Sequence, residues 1–310
     1  MTAVLDRSER FAGTAEIRAE MRFDEDRLGH YLAEAVPGFA GPLTARQFKG
    51  GQSNPTYELT TPGGAYVLRR KPPGKTLPSA HAVDREHRVM TALGGAGFPV
   101  PRTRHLCLDE AVIGSPFYVM DKVEGRLHWD AAMPTLAASE RPAHFKAMVE
   151  TLARLHRLDP VALGLEDFGR PGNYIARQIG RWSRSYREDG IAGRVAEMDR
   201  LADWLPAHLP GGEEASIVHG DYRCDNVMFA HAEPRVVAVL DWELSTIGHP
   251  LADFTYHLMM YRMPPIGTTG LLGYDLAALN IPPEADTVRY YCAATGRETI
   301  ADLDYYIAYN

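Results

Sequence analysis

Apolar positions along the chain change period several times, and each change marks an element. Leu28, Leu32 and Val36 recur every four residues, which predicts a short helix over 24–36. From Ala45 the texture changes. The run ARQFKGGQSNPTYELTTPGGAYVLRRK predicts strand, Gly-rich turn, strand, hairpin and strand, with turns at Gly50-Gly51 and Pro62-Gly63-Gly64. The stretch SAHAVDREHRVMTAL then predicts a helix with Val83, Met90 and Leu93 inward, and TRHLCL and SPFYVMDKV predict two further strands. After Gly125 the pattern is mainly helical, over about 141–158, 173–187 and 193–205.

Near the end of that helical part lies SIVHGDYRCDNVMF, residues 216–229, where charged residues sit between two apolar anchors. A core strand has no use for such charges, and a surface loop has no use for such anchors. The pattern suits polar groups held rigidly for chemistry. A strand, RVVAVLDWE, and a helix, HPLADFTYHLMMYRM, follow. The expected architecture is α+β and two-lobed. Residues 1–23 read as a loosely held leader, 24–122 as a strand-rich lobe and 123–310 as a helical lobe, with a ligand cleft expected between lobes.

Composition narrows the function classes. The 310 residues are 45% hydrophobic and 24% charged, with net charge −7, which argues against nucleic acid or an anionic membrane as partner. No apolar run approaches the roughly 20 residues of a membrane span, and the first residues carry no apolar signal region. Cys107, Cys224 and Cys292 are scattered and odd in number, so the expectation is buried thiols in a reducing cytoplasm.

Four local patterns carry candidate chemistry. His219-Gly220-Asp221 precedes Asn226 with the D-x-x-x-x-N spacing of a kinase catalytic loop. There Asp221 would accept the proton of an attacking hydroxyl, and Asn226 would bind magnesium through its amide oxygen. The strand VVAVLDWE presents Asp241 at its end, where a carboxylate can hold magnesium against phosphates, although it would serve equally as a helix cap. The turn in FKGGQSNPTYEL, with Gly50, Gly51 and Ser53, could lay backbone N–H groups over phosphates, or simply be a turn. Arg69 in YVLR, with Glu86 in the next helix, offers a strand cation paired with a helix carboxylate; alone, Arg69 would pass as a solvated strand charge. His219 reads as a structural residue of the loop, and Asp253 as an acceptor for loop N–H groups or as a helix cap.

With VHGDYRCDN and VLDWELSTIGHPLADF, the sequence resembles the aminoglycoside phosphotransferase/choline kinase family, from about residue 24 to the end. Through VLRRKPPGKTLPSAHAVDREHRVM it resembles the branch of kinase-like domains linked to acyl-CoA dehydrogenases. The resemblance implies a protein-kinase-like fold, ATP and Mg2+ as cofactors, Asp221 as base, and Asn226 and Asp241 as metal ligands. It also implies a hinge whose backbone around Asp121–Val123 meets adenine. Arg69 stands where the family usually has lysine, and Arg70 or Lys71 could share its role. Arg223 occupies a position where protein kinases often carry a lysine near the transferred phosphate; a surface pair with Asp225 is the alternative.

The expected reaction is phosphoryl transfer from ATP to the hydroxyl of a small molecule. Arg177, Arg181 and Arg184 share one helix face, which suits an anionic or CoA-linked acceptor such as a hydroxyacyl-CoA or hydroxy acid, or else is a solvated basic face; Trp182 and Tyr186 are expected in a pocket or the core. An aminoglycoside or amino alcohol is the alternative acceptor, and a non-catalytic nucleotide-binding module the alternative of another class. The oligomeric state is open. The final ADLDYYIAYN stops inside an apolar helical pattern, where family members are expected to continue for about another helix.

Overall fold

Six short strands pair into one antiparallel sheet. The computed structural model describes residues 11–50, 53–74, 82–170, 172–191, 193–265 and 270–310. The strands are β1 (Thr14–Ala15), β2 (Thr44–Phe48), β3 (Thr56–Thr61), β4 (Gly64–Arg70), β5 (Thr103–Cys107) and β6 (Phe117–Asp121), in the order β1-β2-β3-β4-β6-β5. Because side chains alternate across a strand, Leu68 and Phe117 belong to a core that also takes Leu28 and Leu32 from helix α1 (Glu25–Ala35). Arg69 and Tyr118, paired in register, face the other way, toward helix α2 (Val83–Gly95). The N-terminus of α1 is capped by Asp24, whose side chain accepts from Arg27 N at 2.9 Å.

The leader expected over 1–23 is corrected for its described part. Thr14 and Ala15 pair with β2, Ile17 is buried in the core, and the Met21 carbonyl accepts from Arg70 at 2.8 Å and Tyr57 at 3.1 Å. Met21 and Phe23 pack against the same core, but the apolar residues of this stretch are too sparsely and irregularly spaced to read as an element.

The chain forms two compact units. One takes Met1–Asp130 with Asp225–Glu243, the other Ala131–Cys224 with Leu244–Asn310. The sequence division at 122/123 therefore differs in two respects: the first unit runs on to Asp130, and 225–243, with Asn226 and Asp241, groups with the strand-rich unit. That segment supplies β9 (Val227–Phe229) and β10 (Val236–Val239), which join β7 (Arg126–Leu127) in a second small sheet. In the helical unit, α3 (Arg141–His156) buries Phe145, Met148, Val149 and Leu152 and packs on α7 (Glu284–Thr295). Around these lie α4 (Tyr174–Glu188), α5 (Ala196–Ala207), α6 (Pro250–Leu258) and α8 (Leu303–Tyr309). Strands β8 (Ser216–Val218) and β11 (Thr246–Gly248) pair with Val218 opposite Thr246. No helix among the described residues is long and apolar enough to cross a membrane, and all three cysteines are buried thiols.

Candidate active site

In the helical unit the loop after β8 is fixed by its backbone. His219 N and Gly220 N donate to the two carboxylate oxygens of Asp253, at 2.7 and 2.9 Å. Gly220 has φ +86°, and a Cβ there would lie 2.8 Å from the Leu244 carbonyl oxygen, so only glycine fits. His219 is fully buried and its Nδ1 accepts from Asp221 N at 3.2 Å, in keeping with its structural reading. Tyr222, also buried, donates to the Met148 carbonyl at 2.8 Å. Asp253 is itself supported by His156, whose Nε2 lies 3.2 Å from Oδ2, while Nδ1 lies 2.7 Å from the Tyr291 hydroxyl. Burial opposes ionisation of Asp253, but the His156 bond and the His219 N–H outweigh it and hold the carboxyl below its ordinary range.

Asp221 emerges half-buried from this frame. Its Oδ1 accepts from the Tyr256 hydroxyl at 2.6 Å and lies 3.0 Å from Arg223 Nε. Arg223 thus meets Asp221, the neighbour two residues back. Tyr256 was not foreseen; its position three residues after Asp253, on the same face of α6, was the available signal. Tyr256 and Arg223 also line a cavity of about 240 Å³, together with Met259, Met260 and Met263.

In the strand-rich unit a second cluster forms. Arg69 Nε lies 3.0 Å from Glu86 Oε2, and Nη2 lies 2.6 Å from Asp241 Oδ1 and 3.2 Å from Glu243 Oε2. Burial disfavours the Arg69 cation, but Glu86 and Asp241 outweigh it and raise its pKa. Burial pushes the Glu86 carboxyl up to about 7, against the opposing pull of Arg69. Glu86 also accepts from Asn54 at 2.7 Å and from Tyr118 at 3.0 Å. Asp241 sits in the left-handed region, φ +66°, an uncommon conformation for a residue other than glycine. Leu240 N donates to the Asn226 carbonyl at 2.9 Å, so Asn226 is tied to the residue just before Asp241. Glu243 escaped the sequence reading, although its two-residue spacing from Asp241 was visible.

The other expected residues fare unevenly. Ser53 Oγ donates to Glu243 at 2.6 Å. Gly50 packs under Trp129, whose ring a Cβ would approach to 3.0 Å, while Gly51 lies outside the described residues. Arg70 does not share the role of Arg69: it is buried on the opposite face, donating to the carbonyls of Ile113 and Met21. Asp121 N donates to the Arg102 carbonyl and its carboxylate pairs with Arg104 at 2.6 and 2.9 Å, so the side chain and N–H of this hinge residue are engaged within the strand-rich unit. Arg177 and Arg181 line a groove with Arg170 and Tyr174, and Arg184 does not. Trp182 is 60% exposed, which corrects its expected place in a pocket or core. Tyr186 is half-buried, and its hydroxyl bonds to the backbone of Val195.

The match to the phosphotransferase enzyme family runs over residues 44–291, most of the chain. The chain belongs to that family. Among its relatives is chicken acyl-CoA dehydrogenase family member 11, 44% identical over 307 residues, a match covering 96% of this chain and 39% of the relative. The chain therefore spans well under half of that relative's length. A Ralstonia eutropha structure provisionally named an aminoglycoside phosphotransferase is 48% identical, with TM-score 0.84, covering 93% of this chain and 85% of that one. An aminoglycoside phosphotransferase in ternary complex with AMP-PNP and hygromycin B shares the fold at 17% identity and TM-score 0.58, covering 91% and 87%. The chain thus has the α+β, kinase-like fold that the sequence led one to expect.

Proposed function

We propose that this chain transfers the γ-phosphoryl group of ATP to a hydroxyl of a small molecule. The observation that carries the reading is the Arg69 cluster: a strand cation held 3.0 Å from a helix glutamate and 2.6 Å from a strand-end aspartate. That is the arrangement by which a phosphate-gripping cation is held next to a metal-binding carboxylate. Asn226 and Asp241 offer hard oxygen donors, and one carboxylate with one amide suits magnesium, which takes few protein ligands and completes its shell with phosphate and water. Magnesium held there would offset phosphate charge and orient the transferred group. Gly50 and Ser53 would lie over the phosphates, and the backbone around Asp121–Val123 would meet adenine.

Asp221 would orient the acceptor hydroxyl and take its proton as the new O–P bond forms and the bond from the γ-phosphorus to the bridging oxygen breaks, with ADP as the leaving group. Arg223 beside it would stabilise charge spread over the equatorial phosphate oxygens. The acceptor reading is an anionic or CoA-linked hydroxyl compound. It is supported by the groove of Arg170, Arg177 and Arg181, and by relatives whose name joins the matched region to acyl-CoA dehydrogenation. A polycationic aminoglycoside would meet three arginines there.

The test is incubation with Mg-ATP and a panel of hydroxyacyl-CoAs, hydroxy acids, amino alcohols and aminoglycosides, read by mass spectrometry. Asp221→Asn should remove all but a residual transfer while Mg-ATP binds nearly as before, because the isosteric amide cannot take the proton. Asp241→Ala should instead weaken Mg-ATP binding itself. Parental turnover in Asp221→Asn, or unchanged Mg-ATP affinity in Asp241→Ala, would overturn those assignments.

A further inference from the structure

Helix α6 reaches the 219–223 loop twice. Asp253, in its first turn, binds the backbone N–H groups of His219 and Gly220. Tyr256, three residues on and so on the same face, donates its hydroxyl to Asp221 Oδ1 at 2.6 Å. The first contact fixes where the Asp221 backbone runs. It leaves the carboxylate plane undetermined, because the terminal torsion of aspartate is broad and roughly two-fold. The second contact supplies what is missing. A short O–H···O⁻ bond is among the stronger hydrogen bonds, and its donor sits on a helix, not on the loop itself. Arg223 Nε, 3.0 Å from the same oxygen, adds a second constraint from within the loop.

We propose that Tyr256 is a positioning residue for Asp221, setting the rotation of its carboxylate so that one oxygen is presented to the acceptor hydroxyl. The proposal rests on the reading of Asp221 as the base. Tyr256 acts through Asp221 and takes no proton itself. Its ring has a separate place, in the wall of the cavity that also takes Met259, Met260 and Met263. The two parts of the side chain therefore separate experimentally. Tyr256→Phe keeps the ring and the cavity wall and removes only the hydroxyl.

The experiment compares the parent with Tyr256→Phe, Tyr256→His, Asp221→Asn and the Tyr256→Phe/Asp221→Asn double variant. Transfer is measured to the best acceptor of the panel, and to water as Mg-ATP hydrolysis. For Tyr256→Phe the expected result is a kcat roughly ten- to a hundredfold lower, the cost of a misaimed reacting group. KM for Mg-ATP and for the acceptor should stay within about twofold, and the melting temperature should hold. Tyr256→His, which keeps a ring donor, should recover part of the loss. On the residual rate of the Asp221→Asn background, read by single-turnover product formation at high enzyme concentration, the Phe substitution should have no further effect, since a residue acting through Asp221 has nothing left to position.

A Tyr256→Phe kcat within about threefold of the parent would overturn the proposal. So would a loss that appears mainly in acceptor KM, which would make Tyr256 part of the cavity wall only, or an equal loss in the Asp221→Asn background. A Tyr256→Phe protein with lowered stability and unchanged kcat would make the bond structural. Parental turnover in Asp221→Asn would instead overturn the function proposed above, so the two failures are distinguishable.

Discussion

At Arg69 one guanidinium faces Glu86, Asp241 and Glu243, and its side chain is only 9% exposed. A buried cation removed from such a group leaves carboxylates without compensation, and breaking a buried pair in this way costs about 3–5 kcal/mol. Arg69→Met should therefore lower unfolding stability by about that amount, read from denaturant midpoints. Adding Glu86→Gln should restore part of it, because one of the stranded charges is gone. Little change in Arg69→Met would mean that the cluster is already neutralised by protonation or solvent. The Arg69–Glu86 pair was legible because a strand cation and a helix carboxylate are recognisable types in a recognisable order. Glu243 and Tyr256 were not, because a carboxylate or phenol along a chain carries no sign of which distant group it will meet.

At the scale of the element, α6 and its partners form a clamp on the loop. Asp253 accepts two backbone N–H bonds and faces His156, which in turn meets Tyr291 of α7. Asp253→Ala would strand two buried donors, each costing about 1–3 kcal/mol. A fall of roughly 2–6 kcal/mol in stability, with loss of phosphoryl transfer, is the expected outcome. A variant that folds normally and keeps full activity would contradict the clamp. The sequence placed Asp253 correctly at the helix start as an acceptor for loop N–H groups, since a carboxylate there has few other uses. It gave no sign of His156, 97 residues away on α3, which only the tertiary fold brings within reach of α6.

At the scale of the whole molecule, buried histidines set an acid limit. His257 is buried, and desolvation lowers its pKa from 6.5 to about 4, against smaller opposing effects of the Tyr222 backbone and Asp253. The unfolded chain takes the proton near 6.5 and the folded chain only near 4, so stability is full above the upper value and falls as pH drops through that window. His87, His105 and His249 are lowered by burial too and act in the same direction. Between about pH 7.5 and about pH 5, His257 alone should cost about 2 kcal/mol. Urea unfolding of the parent and of a folded His257→Gln variant at both pH values checks this. The variant should lose about that much of the parent's pH dependence, and an unchanged dependence would remove His257 as the cause.

Local pattern determined the elements, because periodicity, caps and turn residues act over a few positions and write themselves into neighbouring letters. The α1 core face, the strand-turn-strand run, Gly220 in its loop and the D-x-x-x-x-N spacing from Asp221 to Asn226 belong to that class. The grouping of 225–243 with the strand-rich unit, the anchoring of residues 14–21 through Ile17 and the Met21 carbonyl, and the placing of Arg69 and Arg70 on opposite faces belong to the other. So do the bonds from Tyr256 to Asp221 and from Ser53 to Glu243. Each joins groups far apart in sequence, and such a contact is decided by which surfaces pack together. The residues themselves do not encode that singly; the folded chain supplies it when burial leaves each polar group one partner within reach.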